Sequence, residues 1–154
     1  MQKHNYNFLL LMVLVAFSIV FTGCKKDDEP SVSTKAQLTT GIWKTVSRQF
    51  INSVDGKEVS NETKTPEGTQ TWEFKSDGTV TVITTDSEGN KDTGTAKWEL
   101  SNGDKTLTFI YSADDKEVAT LKEISASKMI LTTLMTESSD GQTVKYETIV
   151  TFSK

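Results

Sequence analysis

Disulfide bonding has no place within this chain, because Cys24 is its only cysteine. Stability therefore has to come from burial and backbone pairing alone. Histidine is equally scarce: His4 is the only one, and it lies at the N-terminal end. Beyond Cys24 no imidazole or thiol remains for a nucleophilic triad, a zinc site or histidine acid–base chemistry. Arg48 is the one arginine, and 17 Lys+Arg stand against 21 Asp+Glu for a net charge of −4. Nucleic-acid binding rests on neutralising phosphates, so that balance argues against a nucleic-acid partner. Proline occurs only at 30 and 66. The single long apolar run, Phe8 to Phe21, is shorter than the roughly 20 residues a membrane-spanning helix requires.

What that run does fit is a secretory leader. A start carrying Lys3, an apolar stretch of about a dozen residues and the small pair Thr22-Gly23 read as a signal peptide over residues 1–23. The segment Phe21-Thr22-Gly23-Cys24 resembles the lipobox of bacterial lipoproteins, with Phe in place of the usual Leu. The resemblance implies cleavage before Cys24, a diacylglycerol on its thiol and a further acyl chain on its freed amine. Two or more chains, at about 0.8 kcal/mol per buried CH₂, exceed what stable anchoring needs. Next comes Lys25-Lys26-Asp27-Asp28-Glu29-Pro30, which is similar to the acidic export tag that some Gram-negative lineages place after the lipid-bearing cysteine. Three carboxylates beside an anionic bilayer do not bind it, so a receptor-read address accounts for them better. Residues 24–37 are then expected to be the lipidated cysteine and a flexible, polar tether. The expected location is the outer membrane, surface-exposed, with a periplasm-facing orientation as the alternative.

From Gly41 onward the dominant signal is period-two alternation in a threonine-rich sequence, with 24 Thr in the chain. Eight strands are expected, at 41–51, 69–75, 79–86, 93–100, 105–111, 116–124, 128–137 and 143–152. Asp-Gly, Asn-Gly and Ser-Asp pairs supply the turns between most of them. One face collects Trp72, Phe74, Val80, Val82, Ala96, Trp98, Leu107, Phe109, Tyr111, Tyr146, Val150 and Phe152. The other carries Glu73, Lys75, Lys97, Glu99, Lys145 and Glu147. A sheet with one wet face and short turns is an antiparallel meander, and eight such strands lose their edges by closing into an up-and-down barrel. The fold class expected over 38–154 is therefore all-β, an eight-stranded barrel, with a sandwich as the alternative. Residues 52–69 are read as a long loop folding over one barrel end, or in part as a hairpin turning at Asp55-Gly56.

Three motifs in order carry a family resemblance. Leu38-Thr-Thr-Gly41-Ile-Trp43 resembles the Gly-x-Trp signature of lipocalins and of small bacterial lipocalin-like domains. Trp72-Glu-Phe74-Lys-Ser-Asp-Gly-Thr79 resembles the hairpin of the bacterial domain, and Gly94-Thr-Ala-Lys-Trp98 with Leu107-Thr-Phe109 its following pair. The resemblance implies that Gly41 and Trp43 close the barrel base. A Thr-Asp-Tyr motif and an arginine near the last strand are missing, so the small bacterial domain is the better match.

Catalysis finds no support. Glu73, Glu99, Asp114, Asp115, Glu117, Glu123 and Glu147 fall on the expected solvent face or in turns rather than as a glycosidase pair. The loop Asp86–Asp92 lacks the spacing and distal Glu of a calcium site. No enzyme activity, metal or cofactor is expected. Trp72, Phe74, Trp98, Phe109, Tyr111 and Tyr146 are the candidate ligand-binding residues, although so many inward rings would equally fill the interior as core. Met129, Ile130, Leu131, Leu134 and Met135 are apolar on both faces, which suggests a covered outer surface. Two functions follow: a lipid-anchored envelope protein binding a small apolar or amphipathic ligand, or an interaction subunit of an envelope assembly with a filled barrel.

Overall fold

Alternating burial along successive strands builds a closed wall in the computed structural model, which describes residues 32–154. The leader, Cys24 and the acidic segment 25–30 lie outside the described residues. A short helix α1 (Thr34–Thr39) leads into nine strands. These are β1 (Trp43–Val54), β2 (Lys57–Lys64), β3 (Thr69–Phe74), β4 (Thr79–Thr85), β5 (Lys91–Ser101), β6 (Thr106–Ile110), β7 (Lys116–Ile124), β8 (Lys128–Ser139) and β9 (Gln142–Ser153). Neighbours from β3 to β9 pair antiparallel in sequence order, and β1 joins β3 on one side and β9 on the other. That last pairing runs from Lys44↔Ser153 to Val54↔Val144 and closes an eight-stranded barrel. The sandwich alternative is thereby removed.

Apart from shifts of one or two residues at strand ends, two regions differ from expectation, the second only in part. The polar segment expected as tether to residue 37 is helical from Thr34, because Ser33 caps it by accepting a hydrogen bond from Ala36 N at 3.2 Å and Leu38 is fully buried. In residues 52–69 the hairpin alternative holds, and the loop over the barrel end does not. Their first part completes β1 and turns at Asp55-Gly56, with φ of 49° and 79° as a two-residue hairpin turn demands. A ninth strand, β2, then returns along β1 from Val54↔Lys57 to Arg48↔Lys64. It escapes an alternation search because every one of its residues is exposed.

The base of the barrel is solid. Trp43, Phe74, Val80, Leu107, Met129 and Phe152 are fully buried there, and Leu38 of α1 is buried with them. Trp43 Nε1 donates to the Leu38 carbonyl at 3.0 Å. Lys154 Nζ stands 4.1 Å from the Trp43 ring centroid and donates to the Gln37 carbonyl at 2.9 Å, pinning the helix to the last strand. Gly41, at φ +80°, makes the reversal between helix and β1 that a side chain would strain. Gly41 and Trp43 lie at this packed end, where Lys154 covers the Trp43 ring.

The opposite end is uneven. Strands β1, β8 and β9 have 12 residues each, whereas β3, β4 and β6 have 6, 7 and 5. The β8–β9–β1 wall therefore rises above the rest of the rim. On the strand read as apolar on both faces, Met129 and Leu131 are buried while Leu134 and Met135 are exposed. Asp55 latches the wall's tip, exchanging hydrogen bonds with Thr143 through its own N–H and its carboxylate, both 2.9 Å.

Candidate functional site

Above the packed base the barrel opens into a cavity of about 430 Å³. Small residues create it: Gly94 and Ala96 on β5 and Ala119 on β7 all face this space. A Cβ added at Gly94 would meet nothing within 4 Å. The floor is apolar, formed by Trp72, Phe109, Leu131, Val150 and Phe152. Trp72 packs edge-on against Phe109 at 5.5 Å and Phe152 at 5.6 Å between ring centroids. Its Nε1 is buried with no hydrogen-bond partner among the described residues.

The rim is polar. Arg48 Nη2 donates to Gln70 Oε1 at 2.6 Å, and the same oxygen accepts from Thr45 Oγ1 at 3.1 Å. Gln70 Nε2 in turn donates to Thr84 Oγ1 at 3.3 Å. Tyr111 OH donates to Glu117 Oε2 at 3.3 Å, and both residues line the cavity. Glu117, expected in water, is turned inward because β7 places it on the same face as buried Ala119 and Leu121. Burial pushes the Tyr111 hydroxyl up to about 12, and the Glu117 carboxylate beside it adds to the shift. An ultraviolet titration of tyrosinate is therefore expected to show one midpoint near 12, well above the ordinary value of about 10, that falls in Glu117→Gln protein. Since the folded value is raised, the associated stability is complete below about pH 10 and drains away as pH climbs toward 12. Tyr111 is 49% exposed, so the effect on unfolding is small.

The six aromatic candidates separate into three groups. Trp72, Phe109 and Tyr111 line the cavity. Phe74 and Trp98 belong to the filled base, their rings 5.6 Å apart and edge-to-face. Tyr146 faces inward by register but stands on the raised wall opposite Asn52 and Met135, clear of the cavity. Filling and opening, weighed as alternatives from the sequence, thus occupy different halves of one barrel. Gln70 shares the inward parity of Trp72 and Phe74 and was missed only because it is polar, whereas Arg48 had no signal in the alternation. A bulge between Thr45 and Ser47, where β1 meets β9, shifts the inward parity and brings Arg48 opposite Val150 inside the barrel.

A second cleft of about 420 Å³ opens beside the first. Strand β1 pairs with β3 only at Trp43 and Lys44, and from Arg48 onward β2 occupies that edge instead. The linker Thr65–Gly68 bridges the resulting split, and Arg48 and Gln70 line both spaces. Among the described residues no group of three or more His, Cys, Asp or Glu side chains is placed to hold a metal ion.

A family model for the lipocalin-like domain matches residues 39–131. Among solved structures, a lipocalin-like protein from Bacteroides uniformis is 14% identical, with 71% of this chain and 96% of that one covered at a TM-score of 0.45. Bovine odorant binding protein, in complex with a selenium-containing odorant, is 16% identical over 82% of this chain and 76% of that one, at 0.44. Lobster apocrustacyanin A1 is 14% identical over 74% and 59%, at 0.45. No curated protein matches the chain significantly. With the motifs at Trp43, Trp72 and Trp98 inside the matched span and the strands closed as described, this chain belongs to the lipocalin-like domain family.

Proposed function

We propose that this protein is a lipid-anchored binding protein of the bacterial envelope, non-enzymatic, that holds a small apolar or amphipathic ligand in the upper half of its barrel. The observation that carries the reading is the cavity itself. Its volume of about 430 Å³ falls within the roughly 300–1,000 Å³ of small-molecule sites, with an apolar floor and a few convergent polar groups at the rim.

Gly94 provides the test. Its Cα faces open space on a strand whose backbone any residue adopts, so Gly94→Phe fills the cavity without disturbing the wall. The neutral probe 10-bromodecanol is expected to quench tryptophan fluorescence of the full-length protein through Trp72. In Gly94→Phe protein the quenching should weaken at least tenfold while the thermal midpoint holds or rises, because a strand glycine costs about 0.5–1 kcal/mol. Equal quenching of both proteins would refute a cavity site.

The anchor and address rest on the leader and the Phe21–Cys24 segment. Cys24→Ala is expected to move the protein from the membrane fraction to the soluble fraction, and globomycin to accumulate its precursor. Surface display predicts loss of the domain when intact cells are shaved with protease. Cys24→Ala protein that stays with the envelope would rule out the lipid tether.

A further inference from the structure

Arg48 is the only arginine in the chain, and the fold goes out of its way to put it indoors. Uninterrupted alternation from buried Trp43 and Thr45 would turn Arg48 outward. The bulge leaves Val46 44% exposed outside and delivers the guanidinium to the cavity. Bulges re-aim side chains and are enriched next to functional sites.

Once inside, the cation is poorly matched. The guanidinium carries five N–H donors, and its side-chain partner is the neutral Gln70 oxygen. No ion pair forms at Arg48 among the described residues. Directly across the β1–β2 ladder stands Lys64, a second cation. Like charges in opposite positions destabilise a sheet, and Lys64 is only partly compensated, by the exposed Glu62 at 3.3 Å and by the Phe50 ring, whose centroid lies 5.9 Å from its Nζ. A half-buried cation facing a neutral acceptor and another cation is an arrangement that an incoming anion relieves.

Position says where that anion sits. Arg48 lines both the cavity and the cleft between β2 and β3, so a headgroup on Arg48 lies at their junction and an attached apolar body lies on the Trp72–Phe109 floor. The linker that frames the cleft runs tightly against the end of β4, where a Cβ on Gly68 would come within 1.9 Å of the Thr85 carbonyl oxygen. Three carboxylates limit the charge the site accepts. Glu117 lines the cavity, and Glu67 and Asp86 line the cleft. Asp86 is already engaged by the N–H groups of Glu88 and Asn90 at 2.9 Å.

Resting on the binding reading above, we infer that the ligand is a monoanionic amphiphile, bound with its carboxylate on Arg48 and its apolar body in the cavity. Bromodecanoate and bromodecanol, which differ only in the headgroup, test this by tryptophan quenching of the full-length protein in nanodiscs at pH 8, with empty nanodiscs subtracted. The acid is expected to bind at least tenfold more tightly than the alcohol, and added salt to weaken the acid alone. Arg48→Gln should lower affinity for the acid about tenfold to a hundredfold and leave the alcohol within about threefold, with Arg48→Lys between. Equal wild-type affinity for acid and alcohol overturns the inference while leaving the cavity as a ligand site, and this comparison needs no variant to fold. Equal weakening of both probes in Arg48→Gln overturns it too, since Arg48 would then serve packing. Quenching by neither probe overturns the binding reading itself, and the inference with it.

Discussion

Trp43→Ala is expected to cost about 3–5 kcal/mol of folding stability, the range for removing a buried tryptophan. Trp43 is fully buried, and its loss empties the centre of the base. It also strips the Nε1–H from the Leu38 carbonyl and the ring from beneath Lys154. Two further parts of the chain meet on this one side chain: α1 through the Leu38 carbonyl, and the chain end just past β9 through Lys154. The loss should appear as a lower urea midpoint with an unchanged slope, or a drop of roughly 10–20 °C in thermal midpoint. Trp43→Phe refills most of the volume but not the hydrogen bond, so it should recover most of the stability and not all of it. A Trp43→Ala protein with wild-type stability would mean that the base is not what holds the barrel shut.

Trp98→Ala is the second large loss, also about 3–5 kcal/mol, for a different reason. Trp98 is 4% exposed and reaches back over the β3–β4 turn, where its Nε1 donates to the carbonyls of Thr79 at 3.0 Å and Lys75 at 3.2 Å. Its backbone N–H bonds to Gly78 O at 2.8 Å. The turn is further set by Asp77, whose carboxylate accepts from the Thr79 hydroxyl and N–H and is held below the usual carboxylate range by them. Both carbonyls keep backbone partners, Lys75 O from Gly78 N and Thr79 O from Lys75 N. Trp98→Phe should therefore cost only about 0.5–1.5 kcal/mol for the lost indole hydrogen bonds, beyond the small volume change. Hydrogen exchange should locate the Trp98→Ala loosening at 75–79. Uniform loosening across the barrel would argue against this local account.

Much of the wall was legible residue by residue. Trp72, Phe109 and Tyr111 were assigned inward by alternation, and each lines the cavity. The same rule put Phe74 and Trp98 inward without saying how deep, and depth is what separates a filled base from an open top. Depth depends on register against distant strands, such as Trp43↔Trp72 and Trp98↔Phe109, which no local pattern encodes. Strand β2 was legible only through its Asp55-Gly56 turn, because all eight of its residues are exposed, leaving no buried face to alternate. Helix α1 was illegible because its six residues bury only Leu38, too little to show a helical period.

Composition and order by themselves determined the all-β class, the meander, the turn positions and the inward aromatic face, because side-chain direction in a strand has a period of two and needs no partner to be read. Tertiary structure alone decided the closure of β1 on β9, the pinning role of Lys154, the split between β2 and β3, and the inward turn of Arg48. Each of these depends on a meeting of distant residues or on one inserted residue, and a single bulge reverses every facing that follows it. The cavity belongs to the same group. Its volume is what Gly94, Ala96 and Ala119 leave unfilled once the ring has closed around them.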